Sequence, residues 1–81
     1  MGAIMTEGIE KQAYCDRFKY NTKKILKSMG MNQKEFAKNI GMGEHYLHDL
    51  MTVGRRISLY DAIKIANELG EYVEDMCTKD L

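Results

Sequence analysis

The sequence contains no proline, and its 12 basic and 12 acidic side chains cancel to a formal charge of zero. Absence of proline suits a chain of helices better than a loop-rich fold. Absence of net charge means that no whole-molecule field drives the protein onto a polyanion. No apolar run approaches the roughly 20 residues that span a bilayer, and the N-terminus shows no secretory hydrophobic region. Neither a membrane span nor export is therefore expected. Cysteine is scarce: Cys15 and Cys77 stand far apart and fit no CxxC or zinc spacing. Small secreted domains carry more bridges than one, so two free thiols in a reducing cytoplasm are expected. His45 and His48 share a helical face with no further His or Cys nearby, short of the three or four ligands a zinc site wants. No metal and no cofactor are expected. There is no nucleophile–base pair, phosphate-cradling glycine loop or clustered carboxylate site, so catalysis is not expected either, and no small-molecule substrate is evident.

What is present fits one small globular domain. At 81 residues the chain holds a single core, too small for a large cleft between domains. Hydrophobic residues make up 44% and charged residues 30%, a balance that disordered chains lack. The zero net charge hides an uneven distribution. Residues 1–10 carry −2. Residues 11–56 carry ten basic groups against Asp16, Glu35, Glu44 and Asp49, giving +6, and residues 57–81 carry −4. Such asymmetry suits either a polyanion-facing side or simply solvated lysine-rich helix faces.

Along the chain the apolar spacing is helical. Residues 1–9 read as a flexible terminus or cloning remnant, and residues 10–81 as the domain. From about Ile9 to Met29, Phe18, Thr22, Ile25 and Met29 mark an inward face with Leu26 beside them, while Lys19, Lys23 and Lys27 form a row on another. Gly30 stops this helix. Asn32 is a good N-cap, with Glu35 three residues on as in a capping box. It opens a helix over about 33–40 that turns Phe36, Ala37 and Ile40 inward. Gly41-Met42-Gly43 separates it from a helix over about 44–51 that buries Leu47 and Leu50, with Tyr46 inward or at the rim. Ser58 and Asp61 cap a fourth helix whose inward face reads Leu59, Ala62, Ile63, Ala66 and Leu69, ended by Gly70. Residues 72–78 form two more turns. Five helices with short loops and no strand define an all-α, compact five-helix bundle.

The two central helices are too short to be stable alone and must pack steeply on each other, as in a helix-turn-helix. Gly41 takes a positive φ cheaply, so the chain can reverse within three residues. Ala37 is small enough to let the helices approach closely.

The run from Gly30 to Met51, GMNQKEFAKNIGMGEHYLHDLM, resembles the helix-turn-helix of the phage repressor and Cro type, the xenobiotic-response-element family. The similarity continues through Ser58-Leu-x-x-Ala-x-Lys-Ile-Ala-x-x-Leu-Gly and covers about Phe18 to Met76 without a gap. The resemblance implies a lambda-repressor-like fold whose second motif helix enters the major groove N-terminal end first. By that resemblance Gln33 starts the first motif helix, where the family's glutamine bonds a phosphate and braces the recognition helix, and Asn32 adds a second backbone contact. Glu44, His45, His48 and Asp49 fall where base-reading residues sit. Lys34, Lys38, Thr52, Arg55 and Arg56 fall near the phosphate backbone, where contacts set register.

The chain departs from the family pattern at four places. Gly43 replaces the Ser or Thr that caps the recognition helix, at a cost of a few tenths of a kcal/mol. Leu26 and Met51 replace an Arg–Glu ion pair by an apolar contact, a change often neutral or stabilising. Val53 takes the place of the usual glycine, displaced to Gly54, and Ile57 stands where proline is common. Glu44 and Asp49 put carboxylates on the reading face: each can accept from cytosine N4 but is repelled by phosphates. His45 and His48 can donate to guanine, more strongly when protonated. The implied function is a cytoplasmic, repressor-like regulator that binds double-stranded DNA as a homodimer. Val73, Met76 and Leu81, or Ile4 and Ile9, are the candidate dimer surface. The alternative is a protein-interaction module of the same fold that has lost DNA binding.

Overall fold

A computed structural model describes residues 3–81, with side chains from residue 11 onward. Five helices follow in order: α1 (Ala3–Ser28), α2 (Gln33–Asn39), α3 (Glu44–Leu50), α4 (Leu59–Leu69) and α5 (Val73–Thr78). No strand occurs among the described residues. Helix α1 starts before the expected Ile9. The expectation of a flexible terminus or cloning remnant over 1–9, and the candidate contacts Ile4 and Ile9, fall on side chains outside the described residues, as do Met1 and Gly2 altogether.

Local chemistry sets the helix ends. The Asn32 side chain accepts the Glu35 N–H at 2.8 Å and opens α2. The Ser58 hydroxyl accepts the Asp61 N–H at 3.2 Å and opens α4. At the end of α2, Gly41 takes φ +67°, its N–H donates to the Lys38 carbonyl at 3.2 Å, and the Met42 N–H donates to the Ala37 carbonyl at 2.8 Å. This pair of bonds is the Schellman closure that a left-handed residue permits. It turns the chain toward α3 while Met42 packs on the core.

The core consists of Phe18, Leu26, Phe36, Ala37, Ile40, Leu47, Met51, Ala62, Ile65, Ala66 and Met76. Each large apolar side chain buried there contributes about 1.5–3 kcal/mol. Leu26 and Met51, at the positions of the family's ion pair, both lie within this core. Three expected core positions are corrected. Met29 is 54% exposed because α1 ends at Ser28 and the chain turns away there. Leu59 and Ile63 are 69% and 43% exposed, whereas Ile65 is fully buried. The inward stripe of α4 is Ala62, Ile65, Ala66 and Leu69, in i, i+3, i+4, i+7 phase. At about 100° per residue, Leu59 and Ile63 sit at its edge.

Helix α5 has six residues, too few for independent stability. It packs against α1 and α4. Asn21 of α1, fully buried, holds its end: Nδ2 donates to the Met76 and Lys79 carbonyls at 2.8 and 2.7 Å, and Oδ1 accepts the Leu81 N–H at 3.0 Å. Met76 is therefore an internal residue, not a dimer contact. Cys15 and Cys77 are both free thiols, and burial, with Cys15 adding to it, pushes the Cys77 thiol up from its ordinary value.

Asn21→Ala removes three main-chain partners from one site and is expected to cost about 2 kcal/mol. At this chain length that lowers Tm by roughly 8–16 °C in a circular-dichroism melt. A shift of under about 4 °C would count against the Asn21 clamp.

Candidate nucleic-acid interface

The turn at Gly41 brings the start of α2 against the outer side of α3. Asn32, Gln33, Lys34, Glu44, His45 and His48 line one open groove there. All but Gln33 are exposed. Lys34 and Glu44 also border an adjoining hollow that includes Lys38. The inner side of α3 is closed by Leu47, fully buried, and by Met51 just beyond its end. The outer side of α3 is thus left open to solvent.

Asn32 already uses its carbonyl oxygen on the helix cap, which leaves its amide nitrogen to face a ligand. At the far end of α3 the Asp49 carboxylate lies 3.9 Å from the Arg55 guanidinium, with both side chains more than half exposed. A pair so exposed contributes little to stability, but it places a positive charge beside the carboxylate. The Thr52 hydroxyl donates to the His48 carbonyl at 3.3 Å, and Arg56 is exposed. Six of the eleven expected contact residues thus share one groove, Lys38 stands next to it, and Asp49, Thr52, Arg55 and Arg56 gather at the exit of α3.

Two connections hold α3, and neither was expected. Tyr46 is half exposed, yet its hydroxyl donates to Asp61 Oδ2 at 2.6 Å, the same oxygen that accepts the Ser58 hydroxyl at 2.9 Å. Helix α3 is thereby tied to the start of α4. The Asp61 hydrogen bond, with desolvation and the carboxylate charge in support, raises the Tyr46 phenol above its ordinary value.

The second connection corrects the reading of Lys19 as part of a solvated row. Lys19 is 1% exposed, and its ammonium donates to the Thr52 carbonyl at 2.8 Å and to the Arg55 carbonyl. Three residues earlier, Asp16 Oδ1 accepts the Gly54 N–H at 3.1 Å and the Gln12 amide at 3.0 Å. Burial lowers the Lys19 ammonium from its ordinary value, with Asp16 opposing that shift. No spacing rule signals such contacts, because the partners lie 33 to 38 residues apart.

Among the described residues no three His, Cys, Asp or Glu side chains are grouped to hold a metal ion, and no helix is long and apolar enough to cross a membrane. The Helix-turn-helix family matches residues 23–75, and the chain belongs to it, in its lambda-repressor and Cro-like form. That membership points to a DNA-binding transcription regulator. Neither the curated proteins nor the solved structures yield a match to this chain.

The Tyr46–Asp61 bond has a testable pH signature. A phenol whose pKa is raised on folding contributes stability below its unfolded value of about 10 and loses it as pH rises through the folded value. Ultraviolet titration should show a late tyrosine step above the ordinary phenol value, and Tyr46→Phe should abolish that late step. If the late step survives in Tyr46→Phe, the bond does not form in solution.

Proposed function

We propose that this domain is a sequence-specific, repressor-like regulator that reads the major groove of double-stranded DNA with α3. The observation that carries this reading is the open groove in which Asn32, Gln33 and Lys34 meet Glu44, His45 and His48. A helix held by its inner side and free on its outer side is what major-groove entry requires. Glu44, His45, His48 and Asp49 are assigned to base edges. Asn32, Gln33, Lys34, Lys38, Thr52, Arg55 and Arg56 are assigned to phosphates, where they fix register without carrying sequence. Arg55 beside Asp49 reduces the repulsion that a lone carboxylate would meet there.

The salt dependence of binding tests this. The logarithm of affinity for duplex DNA should fall linearly with log salt, at a slope of roughly 0.9 per phosphate contact. Gln33→Ala and Arg55→Ala should weaken retention of all selected genomic fragments. His45→Ala should instead relax base preference, by about 1–3 kcal/mol of discrimination at one position. No binding even at low salt would favour the protein-interaction reading, which the two carboxylates on the reading face and the zero net charge support.

A neutral single module is expected to act as a homodimer on half-sites about one helical turn apart. With Met76 internal, the candidate surface moves to the second apolar edge of α4, where Leu59, Tyr60 and Ile63 are exposed side by side in the sequence pattern. Two copies facing each other through this edge would shield the same three side chains on both, as a two-fold contact does. Ile63→Lys should shift sedimentation toward monomer and weaken binding to two half-sites while leaving single-half-site binding unchanged. Unaltered association of Ile63→Lys would remove α4 as the dimer surface.

A further inference from the structure

Helix α3 has seven residues and no side-chain cap at Gly43. Its exit runs into the turn Thr52–Arg55, closed by the Arg55 N–H donating to the Thr52 carbonyl at 3.2 Å. Both carbonyls at the ends of this turn accept from the Lys19 ammonium, and the Gly54 N–H between them donates to Asp16. Gly54 adopts φ +90°, the positive value that the third position of such a turn favours for glycine. One face of α1, at positions i and i+3, thus holds three main-chain groups of the turn at once.

From this we propose that Lys19 is a positioning residue for nucleic-acid binding, which fixes the exit of α3 and the contacts that follow it. The inference rests on the DNA-binding reading above. Lys19 is too buried to touch a phosphate, whereas Thr52, Arg55 and Arg56 are exposed on the segment it holds. Its ammonium lies at the C-terminal side of α3, where a cation also complements the helix dipole. Lys19 gives the exit of the reading helix a polar attachment to α1. It does so through main-chain carbonyls, so the attachment holds whatever side chains the turn carries. Without it, the turn opens more often and loses its fixed distance from the groove, so the same contacts form in the complex only after the turn is ordered, at a cost in affinity.

Lys19→Met keeps the stem and removes the ammonium. In the free protein, amide exchange at Gly54 and Arg55 should quicken at least tenfold while core amides of α1 and α4 stay protected. Affinity for duplex DNA should fall about tenfold with the salt slope unchanged, whereas Arg55→Ala should lower the slope by about 0.9. A slope that drops for Lys19→Met would mean that Lys19 itself meets phosphate and would overturn the assignment, as would full affinity. Asp16→Ala decides the matter if Lys19→Met does not fold. It should free the Gly54 amide and cost about threefold in affinity at constant slope, while Asp16→Asn, which keeps the acceptor oxygen, restores both. Unchanged Gly54 exchange in Asp16→Ala would overturn the clamp. Absence of DNA binding by the unmodified protein would instead defeat the functional reading, and the exchange data would still decide the clamp.

Discussion

Short helices leave main-chain groups unpaired at their ends, and here two buried polar side chains of one long helix satisfy the groups that matter most. Lys19 takes the carbonyls of the turn after α3, and Asn21 takes the carbonyls at the end of α5. They are two residues apart, so they leave α1 in different directions and reach different elements. Phe18, Thr22 and Leu26 fill the space between those directions with apolar contact. Thr22 turns its own hydroxyl back onto the Phe18 carbonyl at 2.8 Å, so it adds no polar demand to the core. The bundle is therefore organised by α1, and α3 and α5 depend on it.

Much of this plan was legible because its determinants are local. Asn32 and Ser58 cap helices within three residues of themselves, and α2 is closed by Gly41 bonding three residues back and Met42 bonding five residues back. The face of α4 was less legible. Leu59, Ile63 and Ile65 are all apolar, and the choice between them depends on how α4 rotates when Ala62 and Ala66 meet the other helices. Lys19 was illegible in principle: a lysine among lysines at helical spacing reads as solvated, and only the folded chain brings two carbonyls to it. Among the candidate contacts, six share one groove because helical phase and the turn at Gly41 bring them to one side. The Tyr46–Asp61 bond joins two helices through residues 15 positions apart and left no local trace.

Helix α3 is held from both sides by different chemistry. Tyr46 bonds a carboxylate of α4, and the turn after α3 is bonded by an ammonium and a carboxylate of α1. Between these attachments Leu47 closes the inner face. Each attachment uses a charged group that is itself satisfied, so no buried side-chain polar atom is left without a partner among the described residues. Satisfied polar contacts of this kind specify one arrangement more sharply than apolar packing alone, which tolerates small rotations. For a surface whose use depends on register, that distinction has functional weight.

The zero net charge then reads differently. Of the acidic groups that balance the basic middle segment, Asp80 pairs with Lys24 at 2.8 Å, Asp75 with Lys79 at 3.1 Å, and Asp61 holds Ser58 and Tyr46. These carboxylates are engaged with partners outside the groove-lining set. Charges separated by more than about 8–10 Å are largely screened at physiological salt, so the field at a surface is set by its own neighbours. Lys34 lines the groove, Lys38 adjoins it, and Arg55 and Arg56 follow the exit of α3, while Glu35, Glu44 and Asp49 are the acids among them. The local balance on that side is positive although the whole chain is neutral. A polyanion approaching the groove meets four basic side chains and three carboxylates, one of them faced by Arg55.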